Sequence, residues 1–210
     1  MMASHQAIGL TVPLDTRIFY AVNQFARDTP PWLQPIVAAY ANYGTALFAA
    51  LILAGWWVAR GQGSAKMAAA VWAPPRGVLA VLAINQPIAD AVAEVRPCNA
   101  LHDIVVLHCN TDAGFPSDHA VMAGAATVGG VWLVQRRLGI VALLASVLMC
   151  CARVYVAAHF PQDVVAGFAL GGAAVGFVGY VLLRRPLTRM IDVVSESRLR
   201  PLVALPRSDA

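Results

Sequence analysis

Charge is scarce in this chain. Asp, Glu, Lys and Arg make up 12% of its 210 residues while 59% are hydrophobic, which leaves too few polar side chains to cover an ordinary soluble domain. The surplus of apolar surface belongs in lipid. The net charge is +4, but the basic residues sit in short clusters beside apolar stretches, with no polar face carrying interleaved aromatics, so nucleic acid is not an expected partner. Residues Met1 to Pro13 lack a basic start followed by an apolar core and a small-residue cleavage site. Insertion is therefore expected to begin with the first span. No internal repeat stands out, and His102-Asp103 lacks the companions of a metal-ligand set, so neither a metal nor another cofactor is expected. Cysteine is sparse as well. Cys98 and Cys109 share one polar loop, where an oxidising compartment would permit a disulfide. Their geometry is not fixed by sequence. Cys150 and Cys151 are adjacent inside an apolar segment and read as small hydrophobes.

What remains is mostly span. Leu14 to Ala26 places Ile18, Phe19, Val22 and Phe25 at helical spacing, with Asp15, Arg17 and Asn23 around the rest of the turn. This predicts an amphipathic helix, either on the membrane surface or packed on a bundle, and Asp28 to Pro31 ends it. Tyr43 to Arg60 is long enough to cross a bilayer if Trp32 to Asn42 leads into it, with Trp56, Trp57 and Arg60 near one interface. The next span, Met67 to Val92, contains Pro74, Pro75 and Arg76. A start near Pro75 would spare it a mid-bilayer arginine. Further spans are expected at His119 to Gln135, Gly139 to Tyr155 and Asp163 to Leu183. Gly167 and Gly171 are four apart, as are Gly172 and Gly176, a spacing suited to close helix packing. The expected architecture is an all-α integral membrane helical bundle of five to six transmembrane helices over residues 31–190. An N-terminal segment (1–30) precedes it, and a cytoplasmic tail (191–210), polar and without fixed structure from Ser195 onward, follows.

Basic residues orient such a bundle, because Lys and Arg concentrate on cytoplasmic loops. With five spans, one side receives Arg60, Lys66, Arg136, Arg137, Arg184, Arg185 and Arg189, and the tail adds further arginines. The other side receives Arg17, Arg27, Arg96 and Arg153. The polar fragments Arg96-Pro97, Pro116-Ser117-Asp118-His119 and Arg153 with His159 and Asp163 all fall on that second side, which predicts a multi-pass cell-membrane protein whose active site faces outward.

Those fragments carry chemistry. Pro161 suits the first position of a helix, which leaves His159 at a helix amino end, where free N–H groups and the dipole favour an anion. Ser117 reads as the N-cap of the helix that carries His119. A neutral His159 can attack phosphorus, with Asp163 holding its tautomer. His119 is the candidate general acid, and Arg96 and Arg153 are placed to neutralise phosphoryl oxygens.

Arg-Pro, Pro-Ser-x-His and Arg-x5-His-x3-Asp, in that order on a multi-span chain, resemble the type 2 phosphatidic acid phosphatase (PAP2) superfamily. The resemblance covers about Tyr43 to Leu183 and rests on Arg96, Ser117, His119, Arg153, His159 and Asp163. It implies a helical core shared with vanadium haloperoxidases and a metal-free phosphohistidine mechanism. Two positions depart from the pattern. Ala89 stands where the family has a lysine, and Arg76 is a poor substitute because the helix between them is about 20 Å long. His102 is the remaining candidate replacement. Asp118 stands where glycine is commoner, and a carboxylate there would repel phosphate unless it turns away. The Phe-Pro-Ser-Asp-His form resembles the branch acting on undecaprenyl pyrophosphate, so a polyprenyl pyrophosphate is the expected substrate, a choice Asn85-Gln86 also favours. Phosphatidic acid hydrolysis, lipid phosphotransfer and a weakened, binding role are the alternatives. His102, His108, Asp90, Glu94, Asp103 and Asp112 read as solvated or surface residues, and a structural salt bridge of Arg96 with Glu94 or Asp163 is the competing role for that arginine. The sequence sets no oligomeric state.

Overall fold

The computed structural model of the chain describes residues 13–64, 66–68, 78–127, 134–174 and 184–204. Among these every regular element is helical. In chain order they are α1 (Pro13–Asp28), α2 (Gln34–Tyr43), α3 (Thr45–Ala59), α4 (Val78–Val92), α5 (Pro97–Ala100), α6 (Asp118–Ala125), α7 (Arg136–Tyr155), α8 (Pro161–Ala174) and α9 (Arg184–Ser195), followed by a 3-10 turn at Arg200–Leu202. The Pro74 to Arg76 boundary and Gly176 lie outside the described residues, and the spans expected at Met67 to Val92, His119 to Gln135 and Asp163 to Leu183 each run partly outside them.

Among the described residues, α7 alone is long and apolar enough to cross a membrane unaided: it has 20 residues and a mean hydropathy of 2.1. Half of it is buried, and its outward face carries Ile140, Val141, Leu144, Val147 and Leu148 exposed. Such a face has no favourable contact in water. The span expected from Tyr43 to Arg60, with its lead-in, is α2 plus α3, but the pair bends by 54°. The cause is local. A Cβ at Gly44 would stand 2.5 Å from the Tyr40 carbonyl and 2.6 Å from Met149 Cε, so the α7 methionine packs into the break. Tyr40 also donates its hydroxyl to the Ala145 carbonyl at 2.7 Å, tying α2 to α7. At the end of α3, the Arg60 guanidinium lies 4.7 Å from the Trp57 ring centroid and 5.4 Å from that of Trp56, a cation–π stack suited to an interface.

The pairing of α6 with α8 sets the geometry of everything above it. A Cβ on Gly171 would overlap the Val121 carbonyl, one on Gly124 would overlap the Phe168 carbonyl, and one on Gly167 would lie 2.6 Å from the Ser117 carbonyl. Backbone touches backbone along this seam. Beside it, Thr127 and Ser146 place their hydroxyls 2.6 Å apart and bond helical carbonyls, satisfying both polar groups inside the bundle. The close approach brings the amino ends of α6 and α8 together, where Ser117 N–H donates to the Asp163 carbonyl at 3.1 Å.

The amphipathic helix packs on the bundle through Phe19 and Ala26, both fully buried. Leu14, Ile18, Tyr20 and Phe25 stay exposed. Of the polar residues expected around the rest of the turn, Arg17 is exposed and two are not. Asp15 and Asn23 are buried, and the Asn23 amide exchanges two hydrogen bonds with the Val105 backbone, at 2.7 and 3.0 Å. That anchors the polar loop, which the Cys98–Cys109 disulfide also closes. Cys151 is exposed, not packed in the interior as a small hydrophobe. The tail also departs from expectation. Leu202 accepts a bond from Trp56 Nε1 at 3.0 Å and Val203 packs beside buried Leu187 and Ile191, so an apolar side of α9 and the turn after it fold back on α3.

Candidate active site

Two helices end in left-handed residues, and the site is built from the chain that leaves them. Ala93 (φ 49°) closes α4, donating its N–H to the Ala89 carbonyl, and turns the backbone into the extended segment that holds Glu94 and Arg96. Ala157 (φ 65°) closes α7 and turns the chain toward His159. Both are alanines in a conformation that favours glycine.

Arg96 is buried and uses its whole guanidinium. Nε donates to the Asp112 carbonyl at 3.0 Å, and Nη2 donates to Asp112 Oδ2 at 2.8 Å and the Ala113 carbonyl at 3.1 Å. Nη1 donates to the Ala158 carbonyl at 3.1 Å and to His159 Nε2 at 2.8 Å. The ion pair of Arg96 is thus with Asp112, not with Glu94 or Asp163. Asp112 was read as a surface charge, and its side chain is indeed 62% exposed, yet it fixes the direction of the arginine. Asp112→Ala is expected to lower kcat/KM roughly tenfold without unfolding the protein, an effect read in steady-state phosphate release.

Arg153, fully buried on α7, places Nη2 3.3 Å from the same His159 Nε2. Its Nη1 is held by the Ala41 carbonyl at 3.3 Å and Asn42 Oδ1 at 3.4 Å. His159 Nδ1 lies 2.8 Å from the Gly114 carbonyl and 3.5 Å from Asp163 Oδ2. The ring is therefore oriented chiefly by a backbone carbonyl, with the carboxylate behind it. Asp163 also accepts the Phe160 N–H at 2.8 Å, so it caps its own helix from the first turn. Burial, together with the charges of Arg153 and Arg96, holds the His159 imidazole well below the usual histidine value of 6.5. It is neutral at physiological pH.

Ser117 has the backbone angles of an N-cap, but its hydroxyl makes no capping bond and lies buried without a partner. His119, half-buried in the first turn of α6, lies beside Asn42 and within electrostatic reach of His159, Arg96 and Arg153. Asp118 is turned onto Asn85 of α4, whose amide nitrogen bonds both its Oδ1 and the Pro116 carbonyl. Asn85 is buried, and it answers the repulsion that a carboxylate at this position raises.

All six motif residues converge on one site. His102 remains exposed and makes no contact with it, whereas His108 is half-buried and feels the charge of Arg153, Arg96 and His119. Burial first, then those two arginines, lowers its affinity for a proton. Ala89 is buried in α4. Glu94, also read as a surface charge, is 2% exposed. A polar cleft of about 420 Å³, lined in part by Arg96, Asn99, Thr111 and Asp112, opens beside the arginine.

The family model described as PAP2 superfamily matches residues 44–186, a stretch that contains every one of these motif residues. The chain belongs to the PAP2 superfamily. Among curated relatives of this PAP2 chain is the undecaprenyl-diphosphatase of Sulfolobus acidocaldarius, 33% identical over 81 residues. That match spans 38% of this chain and 39% of the relative. Two solved structures share the fold at 22% identity. Aquifex aeolicus LpxE superposes with a TM-score of 0.62 over 82% of this chain and 98% of its own. The first transmembrane PAP2-type phosphatidylglycerolphosphate phosphatase from Bacillus subtilis gives 0.60 over 83% and 88%. This chain thus shares its helical fold with both solved structures.

Proposed function

We propose that this protein is a multi-pass membrane lipid phosphatase that hydrolyses a lipid phosphate or pyrophosphate through a phosphohistidine on His159, without a metal ion. The observation that carries this reading is the environment of one imidazole. Nδ1–H is committed to the Gly114 carbonyl, so Nε2 holds the lone pair, and two guanidinium groups converge on it. A phosphoryl group arriving at Nε2 would meet Arg96 and Arg153 at its oxygens. The free Ser117 hydroxyl offers a further donor.

In the first step the Nε2 lone pair forms the N–P bond while the bond to the leaving oxygen breaks, and His119 gives that oxygen a proton. Water then attacks phosphorus, His119 takes its proton back, and phosphate leaves His159 neutral. A polyprenyl pyrophosphate is the proposed substrate. The similarity to an undecaprenyl-diphosphatase supports it, as does the Asn85–Asp118 pair, which holds the carboxylate at the motif position away from free rotation. An apolar groove of about 510 Å³ between α1, α2 and α7, lined in part by Val22, Ile36, Tyr40, Leu148 and Tyr155, is suited to a hydrocarbon tail. The disulfide-closed loop and the basic-residue bias support a site on the extracytoplasmic face.

Phosphate release by detergent-purified protein, measured in EDTA, tests the proposal with undecaprenyl pyrophosphate, phosphatidic acid and phosphatidylglycerolphosphate side by side. Preferential release from the pyrophosphate is expected. Preference for a glycerolipid overturns the substrate assignment, and loss of all release in EDTA overturns the metal-free mechanism.

A further inference from the structure

The amino end of α8 holds more buried acid than phosphoryl transfer requires. Asp15 from α1, Glu94 from the segment after α4, and Asp163 from α8 are 7%, 2% and 0% exposed. Each has one oxygen engaged. Asp15 Oδ1 accepts the Gln162 N–H at 2.8 Å, Glu94 Oε1 accepts Gln162 Nε2 at 2.9 Å, and Asp163 Oδ2 accepts the Phe160 N–H at 2.8 Å. The second oxygens, Asp15 Oδ2, Glu94 Oε2 and Asp163 Oδ1, have no amide or hydroxyl partner. Among the described residues no group of such side chains is arranged to hold a metal ion. Arg96, two residues from Glu94, has its donors engaged elsewhere.

Glu94 and Asp163 nevertheless lie close enough for each to bear on the other's proton affinity, and each keeps a buried oxygen, Oε2 and Oδ1, without a partner. Ionised carboxylates are acceptors only, so a single proton between these two oxygens would satisfy both. We propose that Glu94 and Asp163 share a single proton and act as one acid–carboxylate pair that positions His159, making Glu94 a positioning residue for the reaction proposed above.

Glu94 reaches the imidazole by two routes. Its carbonyl accepts the Gly114 N–H at 2.8 Å, and the Gly114 carbonyl is the acceptor for Nδ1. Its side chain fixes Asp163, whose Oδ2 lies 3.5 Å from the same nitrogen. When Nε2 gains a phosphoryl group the ring becomes cationic, and the pair's single negative charge sits behind it. A second negative charge would break the bond that holds Asp163 in place. Burial raises the proton affinity of Glu94 above the ordinary carboxyl value, the Gln162 hydrogen bond and Asp163 oppose this, and the charge of Asp15 reinforces it. The charged groups facing the pair are Asp15 from α1 and His159 from the turn before α8. Arg96, paired with Asp112, Arg153 from α7 and His119 from α6 stand on the far side of the imidazole.

The proposal rests on the phosphatase reading for its kinetic arm and on spectroscopy for an independent one. Glu94→Gln can accept from Gln162 and donate to Asp163 without a titratable proton. It is expected to keep most of kcat at pH 7 and to move the alkaline limb of the pH profile up by about one unit or more. Glu94→Ala is expected to lose about 10- to 100-fold in kcat with little change in KM. An alkaline limb unmoved in Glu94→Gln, or a Gln variant as impaired as the Ala variant, overturns the pair. In the infrared difference spectrum of wild type minus Glu94→Gln at pH 7, a protonated-carboxyl stretch is expected whether or not the chosen lipid is a substrate. Its absence from folded protein overturns the shared proton. If the band is present while no lipid gives His159-dependent release, the pair stands and the phosphatase reading fails.

Discussion

His159→Ala is expected to reduce lipid phosphate release by about 10⁴-fold or more, corresponding to roughly 5 kcal/mol of barrier. The loss should fall on kcat, because the arginines and helix ends that attract phosphate remain. The substitution also strips an acceptor from Arg96 Nη1 and Arg153 Nη2 in a buried site, so some loss of stability accompanies it. His159→Gln separates the two effects by keeping an acceptor at similar depth: unchanged melting with abolished turnover isolates the chemistry. The pH profile gives the same residue a second signature. Its imidazole is held below 6.5 by burial and by two arginines, so it stays neutral as pH falls through the ordinary histidine range. The acid limb of kcat/KM due to His159 should therefore lie below pH 6.5. Turnover that persists in His159→Gln would show that another group is the nucleophile.

Gly171→Leu is the second large effect, and it acts far from any phosphate. The first atom of the new side chain overlaps the Val121 carbonyl, a backbone group that cannot rotate away. Forcing α6 and α8 apart exceeds the usual overpacking cost of about 1–3 kcal/mol. The expected outcome is loss of folded, detergent-stable protein, with any surviving fraction inactive because the amino ends carrying His119 and His159 no longer meet. Gly63→Ala is the contrasting substitution. Gly63 has φ 87° with nothing within 4 Å of a new Cβ, so backbone strain of about 1 kcal/mol is its only penalty. Thermal melting of the two variants side by side tests the seam: a Gly171→Leu protein as stable as Gly63→Ala would show that the helices can separate freely.

The motif residues were legible because their chemistry is narrow. Arginine, serine and histidine in a fixed order between apolar spans leave few alternatives, and proline at 161 marks where α8 begins. Gly167 and Gly171 could be read for the same reason, since only a residue without a side chain lets two backbones touch. Glu94 and Asp112 were not legible. Nothing local separates a glutamate buried against another carboxyl from one in solvent, because the difference is made by Gln162 and Asp163 from a distant segment. Gly114 was silent too, since it contributes a carbonyl that every residue possesses. Asn85 was noticed for its place in a span, but its partnership with Asp118 appears only once α4 and α6 are adjacent. The bend at Gly44 depends likewise on Met149, over a hundred positions away in sequence.

Arg96 offers no spare donor. Each of its five N–H groups already points at an oxygen or nitrogen of the protein. An arriving phosphate therefore displaces a bond, most directly the one from Nη1 to His159, and the same bond re-forms as the product departs. Association is an exchange of partners close to even in energy, so ground-state affinity for inorganic phosphate stays weak. The arginine's full attraction is felt when charge accumulates on the transferring group. A cation satisfied at rest in this way favours fast turnover over tight capture.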